Sequence, residues 1–161
     1  METSRLLAYR FPPETAFEGR LLGMLERAFG GGPLRVLDLL LVARDAETGE
    51  LMALAGRGHG EGSLITRLIG FRLDAAERAR ATRHALNAYE ADEDPELVLR
   101  LAGAVPPGGA IAAMLVAAGA ADAVHEAAVR CGGSSLLNEP VPATRLGGLG
   151  RRLVTAASSA G

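Results

Sequence analysis

The sequence predicts an α+β fold, specifically a ferredoxin-like split β-α-β sandwich with an antiparallel sheet and helices on one face. Three observations predict it. Strand and helix patterns alternate as strand, helix, strand, strand and then helix, strand, helix, strand. Glycine and proline bound the apolar runs. The 161 residues are 48% hydrophobic, enough for one core. We expect one domain over residues 1–142, a helical insertion at about 56–105, and a flexible tail at 143–161.

The first half contains three predicted strands and one helix. Arg5 to Phe11 is a short strand that a pair of prolines ends. A helix follows, because Thr15 and Glu18 have the spacing of a capping box and apolar residues recur behind them at helical intervals. The continuous apolar run from Leu34 to Arg44 is typical of a covered central strand. The segment 45–49 has turn composition, and 50–55 is the returning strand.

The second half begins after a glycine-rich breaker at residues 56–62. Alanine and arginine at helical spacing predict a helix over 74–89, and Asp94 followed by proline predicts the N-cap of the next one. Residues 110–118 fit a helix by composition and a buried strand by length; we interpret them as a strand because 120–131 is clearly helical. A final strand is predicted at 134–141. The glycine, alanine and serine content beyond Pro142 predicts a frayed tail.

Composition excludes several classes of function. The formal net charge of −2 lacks the basic surplus of a nucleic-acid binder. Every basic residue is Arg, which excludes a Schiff-base or P-loop lysine. Cys131 is the only cysteine, so no internal disulfide or zinc constellation is expected. The longest apolar run, 108–121, is shorter than the roughly 20 residues that span a bilayer. We therefore expect a cytoplasmic protein with no cofactor, no metal and no transmembrane segment.

Several short motifs resemble an uncharacterised bacterial family of domains of unknown function. They are Arg10-Phe11, the segment 17–19, Arg35 to Leu39 before a hairpin, Asp94-Pro95, and the two glycines at 132 and 133 before the last strand. The resemblance covers about residues 5–142. Some relatives are membrane proteins with a Gly-rich central hairpin. The arginines of this chain's insert do not fit membrane insertion, and the resemblance implies no catalytic residues.

The glycine-rich breaker is one candidate for ligand binding. Alternating glycines could direct backbone N–H groups at a nucleotide phosphate or another anion. The spacing matches neither the dinucleotide-binding nor the P-loop motif, so a hinge is the alternative interpretation. The weak candidate residues for anion binding are Gly58, His59, Gly60 and Gly62.

Asp38 is the most unusual single residue, because a carboxylate within an apolar strand is costly unless it has a partner. We expect either an ion pair with Arg10 or Arg35, or an exposed position. His125 and Cys131 lie six apart on one predicted helix and face different directions, so a nucleophilic pair is not expected.

The insert also carries a basic helix face. Asp74 with Arg78, and Glu77 with Arg80, have the spacing of helical ion pairs. With Arg83 they predict a solvated, internally paired face; contact with an anionic or acidic partner is the alternative. Apolar residues at 63–71 leave peripheral membrane contact open.

The leading functional hypothesis is a non-enzymatic, homo-oligomeric scaffold or regulatory module. A sheet with helices on one face leaves its other face to be covered, which predicts a dimer through that open face. A small-ligand sensor that uses the breaker at 56–62 is the first alternative. An enzyme ranks last, because no nucleophile-base, metal or cofactor pattern is present in the sequence.

Overall fold

The computed structural model describes residues 4–13, 36–56, 68–90, 94–142 and 146–159. Five strands form one antiparallel sheet: β1 (Ser4–Phe11), β2 (Val36–Arg44), β3 (Leu51–Ala55), β4 (Ala110–Ala117) and β5 (Ser134–Val141). Their spatial order is β3-β2-β4-β1-β5. The prediction of a strand for 110–118 is confirmed, and the predicted α+β class with an antiparallel sheet is confirmed as well. The predicted helix at 15–28 lies outside the described residues.

Four helices have complete bounds among the described residues: α1 (Ala75–Asn87), α2 (Leu97–Ala102), α3 (Ala121–Arg130) and α4 (Gly150–Ser159). Residues 68–73 are also helical. The helices α1 and α2 lie between β3 and β4, where the helical insertion is expected. Asp74 caps α1, since its side chain accepts from the backbone N–H groups of Ala76 and Glu77.

The β2–β3 hairpin follows the predicted turn chemistry. Asp45 Oδ1 accepts from the N–H groups of Glu47 and Thr48 at 2.8 and 2.9 Å. Gly49 has φ +71°, a left-handed conformation that glycine adopts without strain. The N–H bonds from Thr48 and then Glu47 lower the pKa of Asp45, because they stabilise its ionised form.

Both faces of the sheet are buried, which corrects the expectation of helices on one face. The Tyr9 face, named for the odd positions of β1, is covered by α3 and by residues 68–73. The Leu6 face, formed by the even positions, is covered by α1, α2 and α4. Leu6 and Leu7 are both fully buried because the strand sends successive side chains to opposite, covered faces.

The C-terminal residues correct a second expectation. Residues 150–159 form helix α4, with Leu153 and Ala157 buried against the Leu6 face, where a flexible tail was predicted. Glycine, alanine and serine suggested fraying. The two apolar side chains four residues apart are nevertheless enough to dock the helix on the sheet.

The two edges of the sheet differ in how they are covered. At β3, the N–H of Ala53 donates to Thr82 Oγ1 of α1 at 3.0 Å, so a helix side chain satisfies an edge amide. At β5 the pairing with β1 includes a bulge between Ala8 and Tyr9, and most of the strand is exposed or half-buried. The sheet is therefore shielded at β3 and accessible at β5.

Candidate functional site: an arginine cleft beside helix α4

Of the predicted site residues, the glycine loop and one arginine lie outside the described residues. These are Gly58, His59, Gly60 and Gly62, together with Arg35. Of the segment 63–71, the described residues 68–71 include Leu68 and Phe71, both buried in the core of the Tyr9 face. Those two side chains are therefore not exposed to a membrane surface. No helix within the described ranges is long and apolar enough to cross a bilayer.

Asp38 is buried and serves as a link between distant parts of the chain. Only 2% of the residue is exposed. Its Oδ1 accepts from the N–H of Leu39 at 2.9 Å, and its Oδ2 accepts from the N–H of Leu146 at 2.8 Å. An exposed position is therefore wrong. These bonds hold strand β2 to the segment that leads into α4.

Arg10 is not the partner of Asp38. In the sheet register Arg10 stands opposite Ile111 of β4, whereas Asp38 stands opposite Leu115. Four residues of strand separate the two positions, about 13 Å at the usual rise. The predicted Arg10–Asp38 ion pair is therefore wrong, because the two residues occupy opposite ends of the Leu6 face.

The basic face of α1 is solvated. Arg80 and Arg83 are exposed, and Arg80 pairs with Glu77 at 2.8 Å as predicted. The predicted pair of Asp74 with Arg78 is wrong. Arg78 Nε instead donates to the carbonyl of Phe71 at 3.0 Å, and the Asp74 carboxylate is used as the helix cap.

His125 has a partner that the sequence did not indicate. Its Nδ1 lies 2.8 Å from the hydroxyl of Tyr9. Burial raises the pKa of Tyr9 to about 12, so this phenol stays protonated at neutral pH and shares a hydrogen bond with the imidazole. Cys131 packs half-buried on the same face. This pair fastens α3 to β1 and leaves Tyr9 without the character of a general base.

Arg10 is a charged side chain whose guanidinium donors are only partly used in hydrogen bonds. Its Nη2 donates to the carbonyl of Ala157 in the last turn of α4. Its Nε is buried and has no hydrogen-bond partner among the described residues. Arg10 forms no ion pair with any described residue. A buried cationic donor without a partner is costly, which marks this position for attention.

Arg10 lines a cleft of about 560 Å³ between the end of α4 and the end of α2. Arg100 of α2 lines the same cleft, and no carboxylate of a described residue does. The other lining residues are small: Gly103, Ala104, Ala157 and Ser158. Two guanidinium groups therefore share one small concave space, the arginine cleft, with no acidic side chain among its lining residues.

Asp94 positions the second of these arginines. Its carboxylate forms an ion pair with Arg100, and the Asp94 side chain is only 12% exposed. The carboxylate also lies against the first residue of α4, since a Cβ on Gly150 would collide with Asp94 Oδ2. Asp94 was predicted to be the N-cap of α2, but Glu96 occupies that position without a side-chain bond.

A second cleft, of about 950 Å³, runs beside the start of α4 and shares Arg100 with the arginine cleft. Two further arginines line it. Arg152 pairs with Glu139 at 3.0 Å, whereas Arg151 is exposed and forms no ion pair with a described residue. Together the two clefts collect four arginines and two carboxylates on a chain whose formal net charge is −2.

Sequence reasoning named Arg10 but missed Arg100 and Arg151. The run Gly-Arg-Arg at 150–152 was the available signal, and it was set aside with the expected tail. Among the described ranges, no group of three or more His, Cys, Asp or Glu side chains could hold a metal ion. No family model, curated protein or solved structure matches the chain.

Proposed function

We propose that the chain is a non-enzymatic regulatory module that binds a small anion in the arginine cleft. The observation that carries this proposal is Arg10, whose buried Nε has no partner in the described part of the chain, at a cleft that a second arginine also lines. An acid group in the cleft would balance the charge of Arg10 and accept hydrogen bonds from Arg10 and from Arg100, whose charge Asp94 already balances. Charge-assisted bonds of this kind are among the stronger ones in proteins.

Arginine side chains also suit binding of an anion better than acid–base catalysis. Its guanidinium remains charged at any physiological pH, so it binds carboxylates and phosphates without exchanging its proton. Small lining residues such as Gly103 and Ala104 leave room for an oxyanion close to the guanidinium groups. The cleft volume falls within the range of small-molecule sites.

The direct experiment is calorimetric titration with inorganic phosphate and with acetate at low ionic strength. We expect both to bind, with phosphate the tighter because it carries more charge. Arg10→Gln is expected to weaken phosphate binding about tenfold or more, since a charged hydrogen bond is worth about 1.5–3 kcal/mol and 1.4 kcal/mol is tenfold.

Two further variants make this test decisive. Arg100→Gln changes a partly exposed side chain, so it keeps the fold testable if Arg10→Gln unfolds. Arg130→Gln is the matched control, because this exposed arginine pairs only with Glu126 on its own helix. Absence of phosphate and acetate binding, or equal affinity in all four proteins, contradicts the proposal.

A second candidate function is assembly with another copy of the chain. The predicted open sheet face is covered by the chain's own helices, so the supporting observation moves to the exposed edge of β5. Two antiparallel β5 strands related by a twofold axis would join the sheets. Pro140 lacks an amide donor and the bulge twists the edge, so we propose a weak dimer.

We also propose the finer fold class and the family. With β3 set aside as an added edge strand, the remaining order β2-β4-β1-β5 suits a split β-α-β sheet of the ferredoxin-like kind. That reading requires a helical crossover between β1 and β2. The motifs within residues 5–142 support membership in the uncharacterised bacterial family that they resemble.

A further inference from the structure

The ligand of the arginine cleft can be specified further, and this step rests on the proposed function. Arg100 lines both the arginine cleft and the second cleft, so the two spaces adjoin at its side chain. A path from Arg10 past Arg100 would lead a longer ligand into the second cleft beside α4. Inorganic phosphate would occupy only the first part of that path.

The second cleft has a cation that no described residue neutralises. Asp94 is committed to Arg100 and Glu139 to Arg152. Arg151 forms no hydrogen bond or ion pair with any described residue. Thr155 lines the same cleft with a hydroxyl, and Leu137 and Ala156 line it with apolar side chains. The free charge therefore lies at the far end of the path from Arg10.

Helix α4 separates Arg151 from the residue that Arg10 contacts. Arg151 precedes Ala157, the residue whose carbonyl Arg10 contacts, by six positions on α4. At 1.5 Å and 100° per residue this is about 9 Å along the helix axis and about 120° around it. We infer that the natural ligand is an elongated small molecule with an acid group at each end, one held by Arg10 and Arg100 and the other by Arg151.

Linear dicarboxylates from malonate to suberate test this inference, each compared with the monocarboxylate of the same length. Affinity measured by calorimetry should rise along the dicarboxylate series, with the best member at least tenfold tighter than its monocarboxylate. Arg151→Gln should abolish that difference while leaving acetate and phosphate binding within about twofold of the parent protein. Arg10→Gln should weaken every ligand in the series.

The outcomes separate the inference from the proposed function. Phosphate binding with no dependence on dicarboxylate length overturns the inference and leaves the anion site intact. A length dependence that persists in Arg151→Gln also overturns it. Failure of phosphate, acetate and all dicarboxylates to bind overturns the proposed function itself. Arg130→Gln again serves as the control for loss of an exposed positive charge.

Discussion

Asp38 shows how one polar residue within an apolar strand can organise distant segments. The carboxylate is buried at the start of β2, where leaving its oxygens without partners would be costly. Bonds from the N–H groups of Leu39 and Leu146 satisfy it. Its contact with Leu146 spans 108 positions of sequence. The residue therefore fixes where the chain re-joins the sheet before α4 begins.

Asp38→Asn should lower the free energy of unfolding by about 1–3 kcal/mol. The amide keeps the shape but offers one acceptor and one donor, so at least one of the two N–H groups faces a donor and loses its bond. Urea denaturation measures the change. Glu47→Gln removes a carboxylate from an exposed turn and should change stability by less than about 0.5 kcal/mol. Equal midpoints for the two variants would refute the linking role of Asp38.

Arg10 has a different partner from the one that its sequence context predicts. The sequence singled it out as a partner for a carboxylate, and the structure gives it a helix carbonyl and an unpartnered Nε instead. The contact that Arg10 makes with α4 is therefore a different one from the predicted ion pair. Sequence spacing does not reveal that Arg10 and Asp38 stand at opposite ends of the same sheet face, because that separation depends on register with β4.

At the scale of elements, the strands were predictable because their signals are local. Strands β2 and β4 are nearly continuous apolar runs between glycine, proline or turn residues. In the neighbouring elements apolar residues recur at regular intervals. Helix α4 was not predictable in this way. Leu153 and Ala157 are buried and Val154 is partly buried, and the surface that stabilises them belongs to residues far away in the chain.

The docking of α4 can be tested with a large-to-small change. Leu153→Ala should lower the free energy of unfolding by about 2–4 kcal/mol, because it removes a buried side chain and leaves a cavity. Thr155→Ala, at an exposed position of the same helix, should have an effect below about 0.5 kcal/mol. Urea midpoints at unchanged slope provide the measurement. A Leu153→Ala protein as stable as its parent would mean that α4 does not dock.

Docking of α4 also explains why the candidate site escaped prediction. The arginine cleft exists only because the end of α4 packs beside α2, which brings Arg100 and Arg10 to one space. Gly150 permits this approach, since any side chain there would collide with Asp94. The residues come from β1, α2 and α4, so no window of sequence contains the site.

At the scale of the whole molecule, coverage of the sheet decides which surfaces remain for a second copy. Helices cover both faces, and Thr82 of α1 satisfies an amide of the β3 edge. The exposed edge belongs to β5, where Ser134, Ser135 and Asn138 are open to solvent. A dimer built on sheet pairing therefore has one place to form, and it is partly obstructed by Pro140.

This geometry predicts a dimer that appears only as concentration rises. Light scattering from micromolar to several hundred micromolar should show an increasing mean mass, because a short edge contact buries far less surface than a stable interface of about 1,600 Å². Ser135→Lys should keep the protein monomeric, since the twofold brings two added positive charges toward each other on paired edges. Ala123→Lys adds the same charge at an exposed position of α3 and should leave association unchanged. A mass that stays monomeric throughout, or one that Ser135→Lys does not alter, would exclude pairing through β5. Anion binding would then be the one function that this structure supports.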